Sequence, residues 1–216
     1  MTSPAKNATR TGFILLVFAL VGTAALAWTF TLTHPAIEKS EEAEKLKLLN
    51  QVMPVEWYDN NLIASQKTLP PDSQLGTSQP SHIWFARKRG QLSGLVLEAI
   101  APDGYSGDIA LLIGITPDGE VLGVRVTAQH ETPGLGDYID IAKSPWIKIF
   151  DHHSLTQPDT KLWKVKKDGG AFDSVAGATI TPRAVVKAVL SALEYYAKHR
   201  DELLSLRPAP NQRDPS

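Results

Sequence analysis

The sequence contains no cysteine, which removes several kinds of chemistry at once. Without a thiol, the chain forms no disulfide, has no thiolate nucleophile and offers no cysteine ligand to an iron–sulfur cluster or an attached haem. A formal net charge of −1 gives no indication of a nucleic-acid partner. Any redox chemistry in this chain must therefore come from a cofactor that is bound without cysteine.

The sequence also lacks the short motifs of common enzymes. It has no GxSxG, HExxH or phosphate-loop pattern, and its six histidines show no ligand spacing with a carboxylate partner. Gly104 and Gly107 are too closely spaced for a dinucleotide fingerprint. The sequence therefore shows no catalytic motif for ordinary hydrolysis or for nucleotide-dependent catalysis.

Charge is absent from one long stretch near the N-terminus. Residues 11–33 contain no Asp, Glu, Lys or Arg, and about 20 mostly apolar residues are enough to cross a bilayer as a helix. Lys6 and Arg10 precede this predicted transmembrane anchor, which favours a cytoplasmic N-terminus at residues 1–10 and an exported remainder. A cleaved signal peptide is the alternative, because Ala25–Ala27 forms an acceptable cleavage site. We favour the retained anchor, since apolar residues continue beyond that site.

The rest of the chain predicts an α+β fold. Residues 34–81 should form an amphipathic helix and a polar linker, and residues 82–200 a domain with antiparallel strands and a C-terminal helix at 181–200. Residues 201–216 are predicted to be a flexible tail, because the chain from Pro208 onward has no large apolar side chain. Short runs rich in branched and aromatic residues predict strands at His82–Arg87, Ser93–Ala101, Asp108–Ile115 and Val121–Ala128, with a weaker candidate at Leu162–Lys166.

The segment from Asp173 to Arg183 joins a small, uncharged loop to the start of the C-terminal helix. Gly177 would let a bulky group approach the backbone, and Thr179 offers a hydroxyl at that open place. Thr181 is predicted to cap the helix, with Pro182 at the first helical position. Because a helix N-terminus favours an anion, the segment suggests a hydroxyl beside a phosphate site. A capped helix without any ligand fits the same residues.

A second loop, at residues 129–137, follows the last predicted strand. It contains one proline and two glycines, so a ligand could approach its backbone closely, and Glu131 and Thr132 add polar side chains. A structural turn that binds nothing is equally compatible with this loop alone.

Three blocks of sequence carry a resemblance to a known family: Gly104–Gly107, His130–Gly136 and Asp173–Val186. In this order they resemble the G subunit of the Rnf (Rsx) ion-translocating electron transport complex. More broadly, they resemble the FMN-binding domain that the Rnf G subunit shares with the C subunit of the sodium-translocating quinone reductase. The resemblance extends from the anchor to the last helix and implies a single transmembrane helix followed by an FMN-binding domain. The quinone-reductase subunits usually carry an extended loop before the pocket, so the compact spacing here favours the Rnf type.

In that family a flavin transferase joins FMN through its phosphate to a threonine hydroxyl. The transferase recognises Asp, two variable residues, Ser or Thr, and then Gly-Ala-Thr. The pattern falls on residues 173–179, which makes Thr179 the implied attachment residue. Ala176 departs from the pattern, because Ser or Thr is usual at its position. Thr181 is the competing hydroxyl, and its predicted role as a helix cap accounts for it.

The resemblance also implies which residues surround the flavin. Glu131 and Thr132 are expected to bond the polar edges of the ring, and Leu135 to cover a ring face. Tyr105 would supply an aromatic contact, and Lys166 is a candidate for balancing the phosphate charge. The complete implied set contains no catalytic or metal-binding residue and consists of Tyr105, Glu131, Thr132, Gly134, Leu135, Lys166, Gly177, Ala178 and Thr179.

The function implied by the resemblance is electron relay through covalently bound FMN, within a complex that couples electron transfer to ion translocation. The chain would be a redox subunit rather than an enzyme on its own, with the other Rnf subunits and the flavin transferase as partners. Its location would be the bacterial inner membrane, with the FMN domain in the periplasm. A single span without charge is not expected to carry the ion itself. The alternatives are a C-type subunit of a sodium-translocating quinone reductase and a non-redox exported module that binds a small ligand.

Overall fold

The computed structural model describes residues 4–205, which divide between Glu44 and Lys45 into two compact units. The first unit is the greater part of helix α1 (Pro4–Asn50). Within it, Gly12–His34 has a mean hydropathy of 2.3 and no buried residue, so its length and composition suffice to cross a membrane. This segment agrees to within one residue at each end with the stretch expected from the sequence. The helix continues without a break into the predicted amphipathic segment.

The second unit is built on one antiparallel sheet, which confirms the predicted α+β class. Its strands lie in the order of the sequence, so each one pairs with the next along the chain. The four strands expected from the sequence are present, each with ends within two residues of the prediction. The strands are β1 (Lys67–Leu69), β2 (Ser81–Lys88), β3 (Gln91–Ala101), β4 (Ile109–Ile115) and β5 (Val121–Ala128).

The folded domain begins earlier in the chain than residue 82. Strand β1 lies inside the predicted linker, and Leu62, Leu69 and Leu75 of that region are buried. A three-residue strand among Asn, Ser, Gln and Pro is too short to produce a periodic pattern, which explains why the sequence did not reveal it. The region at 45–81 is therefore part of the domain rather than a separate linker.

Two other segments also differ from expectation. Residues 162–166 form no strand, because short 3-10 helices occupy Thr160–Leu162 and Lys166–Asp168 and a single bridge pairs Val165 with Phe172. Helix α2 spans Ile180–Ser205, so the first five residues of the predicted tail are helical. Burial of Leu203 supplies the reason for this extension. The remainder of that tail lies outside the described residues.

Both faces of the sheet are covered. Helix α2 packs on one face, with Val185, Val189 and Leu193 buried at helical spacing. The opposite face packs against the end of α1 and the turn that follows it. This second cluster consists of Leu49, Val52, Met53, Leu62, Trp84, Ala86, Val96 and Leu112.

Paired glycines let the chain after α1 lie directly on the sheet. Gly114 of β4 and Gly123 of β5 are opposite each other in the ladder. A Cβ at Gly114 would lie 2.0 Å from the carbonyl oxygen of Val52, and one at Gly123 would lie 3.2 Å from the Val52 Cα. The backbone at Val52 therefore occupies the space that two side chains would need.

Replacing Gly114 by alanine should destabilise the domain. We expect Gly114→Ala to lower the free energy of unfolding by about 2 kcal/mol, because a backbone atom must move to admit the methyl group. Gly123→Ala should cost less, since its neighbour needs to give only a few tenths of an ångström. Denaturant unfolding of the full chain in detergent, followed by tryptophan fluorescence, measures both. Equal costs for the two variants would contradict this account of the packing.

Candidate functional site

An open cleft of about 120 Å³ lies where three distant segments of the second unit meet. The segments are the β3–β4 loop, the loop after β5 and the start of α2, which are the same three blocks that carry the family resemblance. The residues that line the cleft are Tyr105, Glu131, Thr132, Leu135, Gly136, Gly177, Ala178, Thr179, Ile180 and Thr181. Of the residues expected around the flavin, Gly134 and Lys166 are the two that do not line it.

The carboxylate of Glu131 ties the three segments together. This side chain is only 4% exposed. Its Oε1 accepts a hydrogen bond of 3.0 Å from the backbone N–H of Ser106, and its Oε2 accepts one from the hydroxyl of Thr181. The sequence predicts that Glu131 bonds the edge of a ring. In the structure both of its oxygens are engaged with the protein and fix the shape of the cleft.

Two glycines make room for this carboxylate. A Cβ at Gly136 would lie 2.8 Å from Glu131 Oε2 and 2.9 Å from Thr181 Oγ1. A Cβ at Gly104 would lie 2.2 Å from the carbonyl oxygen of Gly107 and 3.0 Å from Glu131 Oε1. Gly136 is missing from the predicted set, although its place in a proline- and glycine-rich loop is a visible signal.

The loop after β5 is held by its own backbone. The N–H groups of Leu135 and Gly136 both donate to the carbonyl oxygen of Thr132, each at 3.0 Å. Gly134 has a φ of +75°, and its N–H donates to Asp137 Oδ1 at 2.8 Å. Gly134 therefore shapes the loop from outside the cleft, whereas Thr132 and Leu135 stand on the rim.

The start of α2 places two threonines differently from the prediction. The helix begins at Ile180, and the N–H of Arg183 donates to the carbonyl oxygen of Thr179 at 3.3 Å. Thr179 thus occupies the cap position that the sequence predicts for Thr181. Thr181 is buried in the first turn, where its hydroxyl donates to Glu131, a charged acceptor. Pro182 is tolerated there because the first N–H groups of a helix have no partner within the helix.

Ion pairs flank the cleft without lining it. Lys166 Nζ lies 2.7 Å from Asp173 Oδ1, so this cation pairs with the first residue of the attachment pattern. Arg183 donates to both carboxylate oxygens of Asp168, at 2.6 and 2.8 Å, and these hydrogen bonds hold the pKa of Asp168 below its usual value. Both pairs are at the surface, where water and salt weaken such interactions.

The rim of the cleft exposes apolar side chains. Tyr105 is 65% exposed, Leu135 is 44% exposed and Ile180 is 46% exposed. The cleft thus combines a threonine hydroxyl, the free N–H groups of a helix start and an apolar rim. This combination fits a phosphate joined to a flat apolar ring. Within residues 4–205, no group of three His, Asp or Glu side chains is placed to hold a metal ion.

The fold and the cleft define a flavin-binding domain that follows a helix able to span a membrane. Comparison with known families agrees with this class. The family model for the FMN-binding domain matches residues 104–194, which contain every residue that lines the cleft. The family model for the RnfG N-terminal region matches residues 1–52.

Full-length relatives extend the match over nearly the whole chain. The G subunit of the ion-translocating oxidoreductase complex of Vibrio cholerae O395 is 48% identical over 194 residues, which cover 90% of this chain and 92% of the relative. The protein of the same name from Pseudomonas aeruginosa UCBPP-PA14 is 46% identical over 200 residues, covering 93% and 94%. That of Shewanella baltica OS223 is 45% identical over 197 residues, covering 91% and 93%. The chain belongs to the family of G subunits of the Rnf complex.

Proposed function

We propose that this chain is the flavoprotein subunit of an Rnf-type membrane complex and that it carries FMN as a phosphoester of Thr179. In this role it relays electrons between partner subunits while the complex moves ions across the membrane. The observation that carries the proposal is the position of Thr179. This residue lines the cleft, directly before α2, and lies inside the family's attachment pattern.

The two candidate hydroxyls differ in availability. Thr181 is 2% exposed, and its hydroxyl is committed to Glu131. Thr179 is half-buried, and its hydroxyl makes no hydrogen bond to any of the residues that the structure describes. A phosphoryl group can therefore reach Thr179 Oγ1 without breaking a buried contact, which favours Thr179 as the acceptor.

The size of the cleft supports a covalent link. Sites that hold a whole ligand of this class are commonly about 300–1,000 Å³. The cleft of about 120 Å³ has room for only part of FMN. We assign the phosphate end to the cleft and the ring to the rim formed by Tyr105, Leu135 and Ile180. A bond to Thr179 retains the cofactor where shape alone would hold it weakly.

Bound FMN supplies a redox centre that accepts one or two electrons. The chain contributes the acceptor hydroxyl, the helix N-terminus that favours a phosphate, and an apolar rim that leaves the ring accessible to a partner. The expected partners are the other Rnf subunits and, during maturation, the flavin transferase. The names of the relatives support the G-type role over that of a C-type quinone-reductase subunit.

The decisive experiment is the mass of the intact protein. The full chain is produced with and without a flavin transferase, purified in detergent and weighed. We expect a gain equal to FMN less one water only in the presence of the transferase, with fluorescence that survives a denaturing gel. Proteolysis should place the added mass on the peptide that contains Thr179. A colourless, unmodified chain, made beside a known substrate that the same transferase modifies, would instead indicate a non-redox binding module.

The absence of cysteine allows a direct test of orientation. We propose a cytoplasmic N-terminus and a periplasmic domain, on the basis of Lys6 and Arg10 ahead of the span. A cysteine introduced by Asp118→Cys, in the exposed β4–β5 turn, should react with a membrane-impermeant maleimide in intact spheroplasts. A cysteine introduced by Ser3→Cys should react only after lysis. The reverse pattern would contradict the proposed orientation.

A further inference from the structure

The segment that leads to Thr179 is held by two aromatic side chains outside the cleft. We call residues 171–178 the acceptor strap. The indole Nε1 of Trp146 donates to the carbonyl oxygen of Asp173 at 2.8 Å, and the backbone N–H of Val175 donates to the hydroxyl of Tyr138 at 3.3 Å. Each aromatic residue uses the one polar atom of its side chain to hold the strap backbone.

The two rings are rigidly supported. Tyr138 and Trp146 meet edge to face, with ring centroids 5.4 Å apart and an interplanar angle of 88°. Trp146 is 8% exposed and makes a second edge contact with Phe150, at 5.6 Å. Phe150 in turn lies 5.1 Å from Phe172 of the strap itself. Since such pairs prefer defined geometries, the polar atoms of Tyr138 and Trp146 are fixed in space.

Tyr138 also adjoins the loop that forms the opposite wall of the cleft. It lies in the short 3-10 helix Asp137–Ile139, directly after the glycine-rich loop that contributes Glu131 and Leu135. Asp137, its neighbour, accepts the N–H of Gly134 in that loop. A displacement of Tyr138 would therefore affect both the glycine-rich loop and the strap.

Without these two hydrogen bonds, the strap would be secured at its ends and by the surface ion pair between Asp173 and Lys166. Phe172 is buried at one end, and the carbonyl oxygen of Thr179 joins α2 at the other. Between them, the exposed backbone turns at Gly177, whose φ is +87°. The bonds to Asp173 and Val175 shorten the free stretch before Thr179 and thereby reduce the conformations open to it.

We propose that Tyr138 and Trp146 are positioning residues for flavin attachment. They hold the acceptor strap in the conformation that presents Thr179 to the flavin transferase, although neither lines the cleft. This inference rests on the proposed attachment of FMN to Thr179. It assigns part of the recognition of this chain by the transferase to residues outside the attachment pattern.

The test removes one polar atom at a time from the full chain in detergent. Tyr138→Phe and Trp146→Phe keep an aromatic ring and lose a hydrogen bond. Tyr196→Phe is the matched control, because its hydroxyl donates to the carbonyl oxygen of Pro117, away from the strap, at 2.9 Å. The transferase is given the unmodified chain and a flavin dinucleotide as donor. The bond from phosphorus to Thr179 Oγ1 forms as the phosphoanhydride of the donor breaks, the nucleoside monophosphate leaves and the hydroxyl proton is lost. Steady-state kinetics of this transfer give an apparent KM and a kcat. Hydrogen exchange reports on the Val175 amide without any flavin.

Loss of a net hydrogen bond of ordinary strength shifts an equilibrium about five-fold. Because apparent affinity falls in proportion to the competent fraction, we expect each strap variant to raise the apparent KM by up to about five-fold at unchanged kcat. The Val175 amide should exchange faster in Tyr138→Phe, and the Tyr196→Phe control should keep the wild-type KM. Strap variants indistinguishable from Tyr196→Phe in KM and in exchange would overturn the inference. A wild-type chain that acquires no flavin would refute the proposed function instead, while the exchange data would still show whether Tyr138 restrains the strap.

Discussion

Thr179→Val should abolish covalent flavin attachment while leaving the domain folded. Valine replaces the hydroxyl with a methyl group of similar size and keeps the β-branched shape, so the backbone before α2 is undisturbed. No oxygen then remains at this position to form a P–O bond. Intact mass and fluorescence on a denaturing gel, measured after coexpression with the transferase, should show the bare chain only.

Two further variants make this result specific. Thr179→Ser restores a hydroxyl at the same position and should recover at least part of the covalent flavin. Thr181→Val removes the neighbouring hydroxyl and should retain covalent attachment, because that hydroxyl serves the buried contact with Glu131. Two results would move the attachment site to Thr181. One is full flavin modification of Thr179→Val, and the other is loss of covalent flavin in Thr181→Val alone.

Sequence patterns predicted the regular elements well, for a physical reason. Strands β2 to β5 and helix α2 bury faces several residues long, and burial imposes the apolar repeats that a sequence displays. Strand β1 has three residues and one buried side chain, Leu69, so it imposes no repeat. The 3-10 helices of residues 137–168 are similarly short, so they produce no periodic pattern of apolar residues in the sequence.

The motifs indicated which residues meet at the cleft, but they did not indicate which contacts hold those residues in place. The family pattern pointed to residues such as Tyr105, Leu135 and Thr179, which the structure brings together. It could not show that Lys166 pairs with Asp173 at the surface. Nor could it show that Thr181 lies within the helix, because a threonine near a helix start suits a cap as well as a buried contact.

Ala176, which stands where the attachment pattern usually has Ser or Thr, lies outside the cleft. Ala176 is exposed on the acceptor strap and does not line the cleft. A serine or threonine hydroxyl at that exposed position would be open to solvent, outside the residues that line the cleft. The walls of the cleft are therefore unaffected by the missing hydroxyl, which is consistent with Thr179 as the proposed attachment residue.

Glu131→Ala should be the most destabilising of the substitutions considered for the cleft. It leaves the N–H of Ser106 and the hydroxyl of Thr181 without their acceptor, although both groups hold separate segments to the loop after β5. Two hydrogen bonds to a charged group contribute about 4 kcal/mol together. We expect a loss of this size in the free energy of unfolding, measured by denaturant titration of the full chain. Covalent flavin should fall with it, since Thr179 loses its neighbouring support.

Glu98 provides a matched control for this prediction. Its carboxylate also accepts a backbone N–H, that of His82 at 2.8 Å, but its side chain is 36% exposed. Water can replace the lost acceptor there, so Glu98→Ala should cost less than about 1 kcal/mol. Glu131→Gln keeps the size of the side chain and one carbonyl oxygen, and should retain much of the stability. Equal stability of Glu131→Ala and Glu98→Ala would show that the buried carboxylate is dispensable. Contacts other than those of Glu131 would then have to hold the three segments together around Thr179.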